Sequence, residues 1–199
     1  MPPFESKQPN DPEIFTEPWI YWLQAARRHA ARATEWREIA TSGLPIGQRL
    51  VEATLEELPS AMEAIATAAF AVDGFESAVG DLVNLPAKRG SRAKVIVKNL
   101  SEVCGLPDQA KYETDVQWLF RVRNEAVHGG VWKTPFWHHP NGMSVAAVQR
   151  DINALSARRA VQVCCGLLKA SLGGPHDNPA LEEWGRIRRS RCEDLLSVD

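Results

Sequence analysis

Between Val51 and Val83 the apolar residues recur in steps of three and four, and this period constrains the fold class most. Val51, Leu55 and Leu58 set the step, and Met62, Ile65, Ala69, Val72, Val79 and Val83 carry it on. An α-helix returns to the same face about every 3.6 residues, so the run reads as one side of a helix. A half-buried strand would alternate in twos. Pro59 falls inside the run, and a proline removes a backbone donor and clashes with the preceding turn. The spacing therefore predicts a break there. Ser60 and Glu63 follow as an S-x-x-E pair, which predicts a capping box that restarts the helix. One member of the stripe is foreign. Glu76 stands where the period asks for an apolar side chain.

The flanking segments keep the same character. "EPWIYWLQAARRHAARATEWREIA", from Glu17 to Ala40, is alanine-rich and offers Trp19, Trp22, Ala26 and Trp36 to an apolar face before "TSGLPIG" ends it. Pro86 and Gly90 mark a loop, and "SRAKVIVKNLSEVCGL" predicts a short basic helix ending near Gly105. "KYETDVQWLFRVRNEAVH" predicts a helix stopped by Gly129 and Gly130. Residues 129–142, "GGVWKTPFWHHPNG", read as an aromatic-rich loop. "SVAAVQRDINALSARRAVQVCCGLLKASL" then predicts one long helix that ends at Gly173, Gly174 and Pro175, and "PALEEWGRIRRSRCEDLL" predicts a closing one. There is no internal repeat, little two-residue alternation and no glycine-rich phosphate loop. The expected architecture is all-α, a bundle of four to five core helices with N-terminal and C-terminal helical extensions. Its expected divisions are a loose arm over 1–16, a helix and loop over 17–48, the helical core over 49–174 and a helical tail over 175–199.

Composition narrows the function classes. Apolar residues make up 44% of the 199 and charged residues 24%, which is the balance of a soluble globular protein. The formal net charge of −2 carries no global basic excess, so any nucleic-acid binding has to come from a local patch. The four cysteines form no CxxC pair, which suits reduced thiols in a cytoplasmic protein. "MPPFESKQPNDPEIF" has no apolar core for a signal peptide, and no run approaches the ~18 apolar residues of a membrane span. His138 and His139 are adjacent, but no Cys, Asp or Glu stands near them at ligand spacing. They read as solvated loop histidines. No metal and no cofactor are expected.

The chemistry gathers in "RVRNEAVHGG", residues 121–130. On a helical wheel Tyr112, Val116, Leu119, Phe120, Ala126 and Val127 form the apolar face, and Arg123 lies near its middle. Asn124 and His128, four apart, share the neighbouring flank. An unpaired buried guanidinium costs several kcal/mol, so Arg123 needs an anion. Glu76 is the expected partner because it too interrupts a core stripe, and Asp73 is the next candidate.

Arg123-Asn124-x-x-x-His128, late in a helix of an all-α chain, resembles the signature of the HEPN superfamily. In that motif an arginine, commonly followed by a polar residue, precedes a histidine after a spacer of four to six. The resemblance spans residues 50–172. It implies a metal-independent endoribonuclease, a class that includes toxins of toxin–antitoxin systems, phage-defence proteins and RNA-processing enzymes. It also implies RNA as a partner, a composite site formed by two motif helices in a homodimer, and a separately encoded antitoxin protein among the partners. Arg123 and His128 would carry the chemistry, with Asn124 in support. Other members of the superfamily are catalytically silent modules that bind a partner protein or a nucleotide, and that alternative stays open here. The residue types suit the reaction. A histidine titrates near neutrality and can act as base or acid, and an arginine fork matches phosphate oxygens.

Each of these residues also has a plainer reading. A histidine before Gly-Gly is how an ordinary helix stops. Lys88, Arg89, Arg92 and Lys94 in "AKRGSRAK" form the expected phosphate-tracking patch, and Arg186, Arg188, Arg189 and Arg191 in "RIRRSR" form a second cluster; both equally describe solvated faces. Trp132, Phe136 and Trp137 could stack bases, or pin their loop to the domain.

Overall fold

The computed structural model describes residues 17–45, 47–85, 89–128, 136–174, 176 and 178–197. The arm over 1–16, Lys88, the Gly129–Gly130 stop and Trp132 lie outside them. Among the described residues there are seven α-helices and one two-stranded sheet: α1 (Pro18–Ala40), α2 (Gln48–Val83), α3 (Arg92–Cys104), α4 (Gln109–His128), β1 (Phe136–His138), β2 (Ser144–Ala146), α5 (Val148–Asp151), α6 (Ala154–Gly173) and α7 (Pro179–Leu196). The fold is all-α, as the spacing predicts. No helix among the described residues is long and apolar enough to cross a membrane.

α2 is the central rod. It runs for 36 residues straight through Pro59, so the predicted break and the capping box at Ser60 do not form. The proline costs one backbone bond, the one its missing N–H would make to the carbonyl of Leu55. Leu55 is 59% exposed, so water can serve that carbonyl. Ser60 is buried among the helices instead of capping one.

α1 packs antiparallel along α2. Trp19 meets Phe75 edge-on with ring centroids 5.2 Å apart, Trp22 meets Phe70 at 5.4 Å, and His29 Nδ1 meets Glu63 at 2.8 Å. Residue numbers rise on one helix as they fall on the other. Ala26, Ala30 and Ala33 fill the seam from α1, and Ala61, Ala64 and Ala68 from α2. Small side chains there let the two backbones approach closely. Trp36 and Trp22 are not core residues as the sequence suggests; Trp22 is 41% exposed.

α6 and α7 close the other side. α6 begins later than the sequence suggests. Asn153 accepts from the N–H groups of Leu155 and Ser156, and Ser156 Oγ accepts from Asn153 N–H, a complete capping box that starts the helix at Ala154. Leu181, Cys192 and Leu196 of α7 join the same apolar cluster as Trp19, Ile65, Leu119 and Leu168. Two of the four arginines of "RIRRSR", Arg188 and Arg189, join this packing, while Arg186 stays in a surface pair within α7 and Arg191 is exposed. Arg188 binds Glu17, Arg189 donates to the Leu172 carbonyl at the end of α6, and Arg186 pairs with Glu183. In return Arg27 of α1 donates to the carbonyls of Asp194, Leu195 and Ser197 at the end of α7.

The segment expected to be a loop and the start of a long helix instead forms a hairpin, with Trp137 opposite Val145. It is tied down by a buried polar network. His139 Nδ1 accepts from Asn141 N–H, which leaves Nε2 to donate to Glu57 Oε2 at 3.2 Å. Glu57 Oε1 accepts from Arg37 Nη1 at 3.0 Å and from Ala154 N–H at 2.9 Å. Asn141 Nδ2 reaches Thr54 Oγ1, and Gln149 Nε2 reaches the Thr54 carbonyl. His139 is thus a buried clasp and not the solvated loop histidine expected, while His138 is exposed.

Candidate functional site

The last turns of α4 are held by Val116, Leu119, Val122 and Ala126, which point into the core. The buried face is rotated from the one drawn on the wheel: Val122 is inside and Val127 is 46% exposed. Arg123 therefore stands at the edge of the buried face and not at its centre. It is half-buried, and Asn124 and His128 are exposed. The Arg123 guanidinium carbon lies 5.2 Å above the Phe70 ring of α2, and Nη1 donates to Asn124 Oδ1 at 3.0 Å. Stacking on an aromatic face and bonding to a neutral amide hold the fork without neutralising it. Two residues back, Arg121 makes a surface pair with Glu125 at 2.8 Å.

The expected pairing of Glu76 with Arg123 does not occur. Glu76 is buried, as its place in the stripe requires, but its partners come from α3: Arg92 Nη2 at 2.6 Å and Asn99 Nδ2 at 2.5 Å. Asp73 accepts from Arg92 Nε at 2.5 Å. Partial burial disfavours the Arg92 charge, yet the hydrogen bonds and charges of Asp73 and Glu76 outweigh it and raise the guanidinium's pKa. Glu76 and Asp73 thus anchor α3 to α2. They do not support Arg123.

Of the expected phosphate-tracking patch, Lys88 lies outside the described residues, and the other three are exposed but not equally free. Arg92 is committed to the two carboxylates, Lys94 lies 3.5 Å from Glu113, and Arg89 is exposed. In the hairpin, Trp137 is half-buried and edge-on to His139 with centroids 6.1 Å apart, so it pins the loop; Phe136 is 83% exposed.

The structure brings to the motif one contact that the sequence does not announce. Phe70 follows the stripe residue Ala69, and its position on the wheel says nothing of a cation above it. Trp22 also meets Phe70, so indole and guanidinium share one phenyl ring and the contacts run across α1, α2 and α4. Among the described residues no group of three or more His, Cys, Asp and Glu is placed to hold a metal ion.

Compared with protein-family models, curated proteins and solved structures, the chain matches none.

Proposed function

We propose that this protein is a metal-independent endoribonuclease of HEPN type, acting as a homodimer, with Arg123 and His128 as its catalytic residues and Asn124 as the residue that positions the guanidinium. The observation that carries this reading is the state of Arg123. Among the described residues it has no carboxylate partner, it is held by Phe70 and Asn124, and it stands five positions before a solvent-facing histidine. An arginine so held offers its remaining donors to an anion.

The reaction follows from these groups. The 2′-hydroxyl of RNA attacks the adjacent phosphorus and gives its proton to the imidazole of His128. The bond from phosphorus to the 5′ oxygen breaks, and that oxygen takes a proton from an acid. Arg123 holds the charge that builds on the phosphoryl oxygens. One chain supplies one histidine at this motif. His128 of the partner subunit, brought in across a two-fold axis, supplies the acid. Such an enzyme belongs in the cytoplasm, where its roles would be toxin, defence or RNA processing, and a separate antitoxin protein would restrain it.

The test is cleavage of a labelled single-stranded RNA in the presence of EDTA. Cleavage is expected to persist in EDTA and to fall by at least about 100-fold in His128→Ala, with the circular dichroism spectrum unchanged. Equal cleavage by that variant would remove the catalytic assignment. RNA binding without any cleavage by the parent chain would instead make it a silent binding module.

A further inference from the structure

Trp22 is the oddity of α1. The helix buries Trp19, Leu23, Ala26, Ala30 and Ala33, and Trp22 sits at the rim of that face with 41% of its surface in water. A tryptophan this exposed wants an explanation, because a full indole is among the largest apolar surfaces a chain can cover. Among the described residues its one ring contact is Phe70, at 5.4 Å and tilted by 55°. Phe70 carries the Arg123 guanidinium 5.2 Å away on α4.

The seam places these contacts on a continuous outward strip. Trp22 and His29 are seven apart on α1, and so are Phe70 and Glu63 on α2. The pairs Trp22–Phe70 and His29–Glu63 therefore mark successive levels of one edge. Between Glu63 and Phe70, Ala66 and Thr67 are half-buried and short. Trp22 of α1 and Arg123 of α4 both meet the strip at Phe70. The result is an aromatic platform beside a cation that lacks a carboxylate among the described residues.

We infer that Trp22 is a nucleobase-stacking subsite: its indole stacks an unpaired base of the RNA strand whose phosphate Arg123 holds, so the protein selects single-stranded over duplex RNA. This rests on the ribonuclease reading above for the identity of the ligand. The occupant is argued from charge. A protein surface laid over these groups would have to take the water from Arg123, and would need a carboxylate to do so. A nucleotide brings a π-face and an anion together, which is what these groups suit. A duplex keeps its bases stacked on each other and presents no free face.

The test uses the full chain, a fluorescein-labelled uridine decamer with 2′-O-methyl sugars, which cannot be cleaved, and the same oligomer annealed to its complement. Trp22→Leu keeps an apolar side chain against Phe70 and removes the π-face, while Trp22→Phe keeps a ring. Leucine is expected to weaken single-strand binding roughly ten-fold or more, phenylalanine to retain most of it, and duplex binding to stay unchanged in both. Equal affinities for the parent and Trp22→Leu would overturn the subsite. So would a change of sedimentation coefficient in Trp22→Leu at equal RNA affinity, which would make the indole a subunit contact. Because the probe is uncleavable, loss of cleavage in His128→Ala together with unchanged binding in Trp22→Leu would sink this inference and leave the ribonuclease standing. The converse pattern would do the reverse.

Discussion

Cys104 is 1% exposed and Cys165 is fully buried, and neither is bridged. Burial pushes the Cys104 thiol up to about 12 from 9.0. It pushes Cys165 up to about 11, against a small opposing pull from the Arg27 charge. A buried thiolate has no water around it, so the fold keeps the proton that the unfolded chain gives up. Between 9.0 and about 12 the folded state therefore binds more protons than the unfolded state at Cys104, and stability falls as pH rises through that window. Below pH 9 the thiol contributes no slope. Lysines and tyrosines titrate in the same range, so the readout is a difference. From pH 9 to 10 the parent is expected to lose about 1 kcal/mol more than Cys104→Ala in urea denaturation. Parallel pH profiles for the two would show that the thiol is not held neutral by the fold.

At the scale of elements, the joint that matters most was the least visible in the sequence. Glu57 is fully buried and bonds α1 through Arg37, the hairpin through His139 and the start of α6 through Ala154. Glu57→Ala leaves a guanidinium and an imidazole facing a hole, and removing one partner of such a network costs about 3–5 kcal/mol. Urea denaturation should show that loss, whereas Arg121→Ala, at an exposed pair, should cost under about 0.5 kcal/mol. A Glu57→Ala chain as stable as the parent would mean that the hairpin is held by its apolar contacts alone. The helices were readable because period and punctuation agree. Ser91 and Gly105 bracket α3, and Asn84 closes α2 in the left-handed conformation with φ 55°. The hairpin was not, since two three-residue strands are too short to show alternation. Pro59 misled because one lost bond in a 36-residue rod is outweighed by packing on its neighbours. At the motif, Arg123, Asn124 and His128 were singled out by residue type, but the contacts they make were not foreseen. A small rotation of the wheel moved Arg123 from centre to rim, and the carboxylate that interrupts α2 was answered by α3, a helix whose basic residues read equally well as a surface patch.

For the molecule as a whole, the question is whether the stretch that carries the motif is a unit by itself. The HEPN-type reading proposed above takes in residues 50–172, and the sequence alone makes what lies outside look like extensions. The packing makes them part of the core. Trp19, Leu23, Ala26, Ala30 and Ala33 of α1 lie in the same apolar cluster as Ile65 and Phe75 of α2 and Leu168 of α6. From the other end, Leu181, Cys192 and Leu196 cover that cluster, and Trp184 packs on Phe75 with centroids 5.8 Å apart. Arg27 and Arg188 tie the two terminal helices across more than 160 residues, to the end of α7 and to Glu17. A chain cut to residues 49–174 would expose the inner faces of α2 and α6, each lined with alanine, valine and leucine. Uncovering a full Leu or Phe side chain costs about 1.5–3 kcal/mol, and losing several exceeds the ~5–15 kcal/mol that keeps a domain folded. The expected result is that the full chain melts in one cooperative transition, and that the 49–174 fragment gives no such transition and aggregates or binds a hydrophobic dye. If the fragment instead melts cooperatively and stays monodisperse, α1 and α7 are dispensable, and Trp22 becomes a feature of an accessory helix and not of the body that holds Arg123.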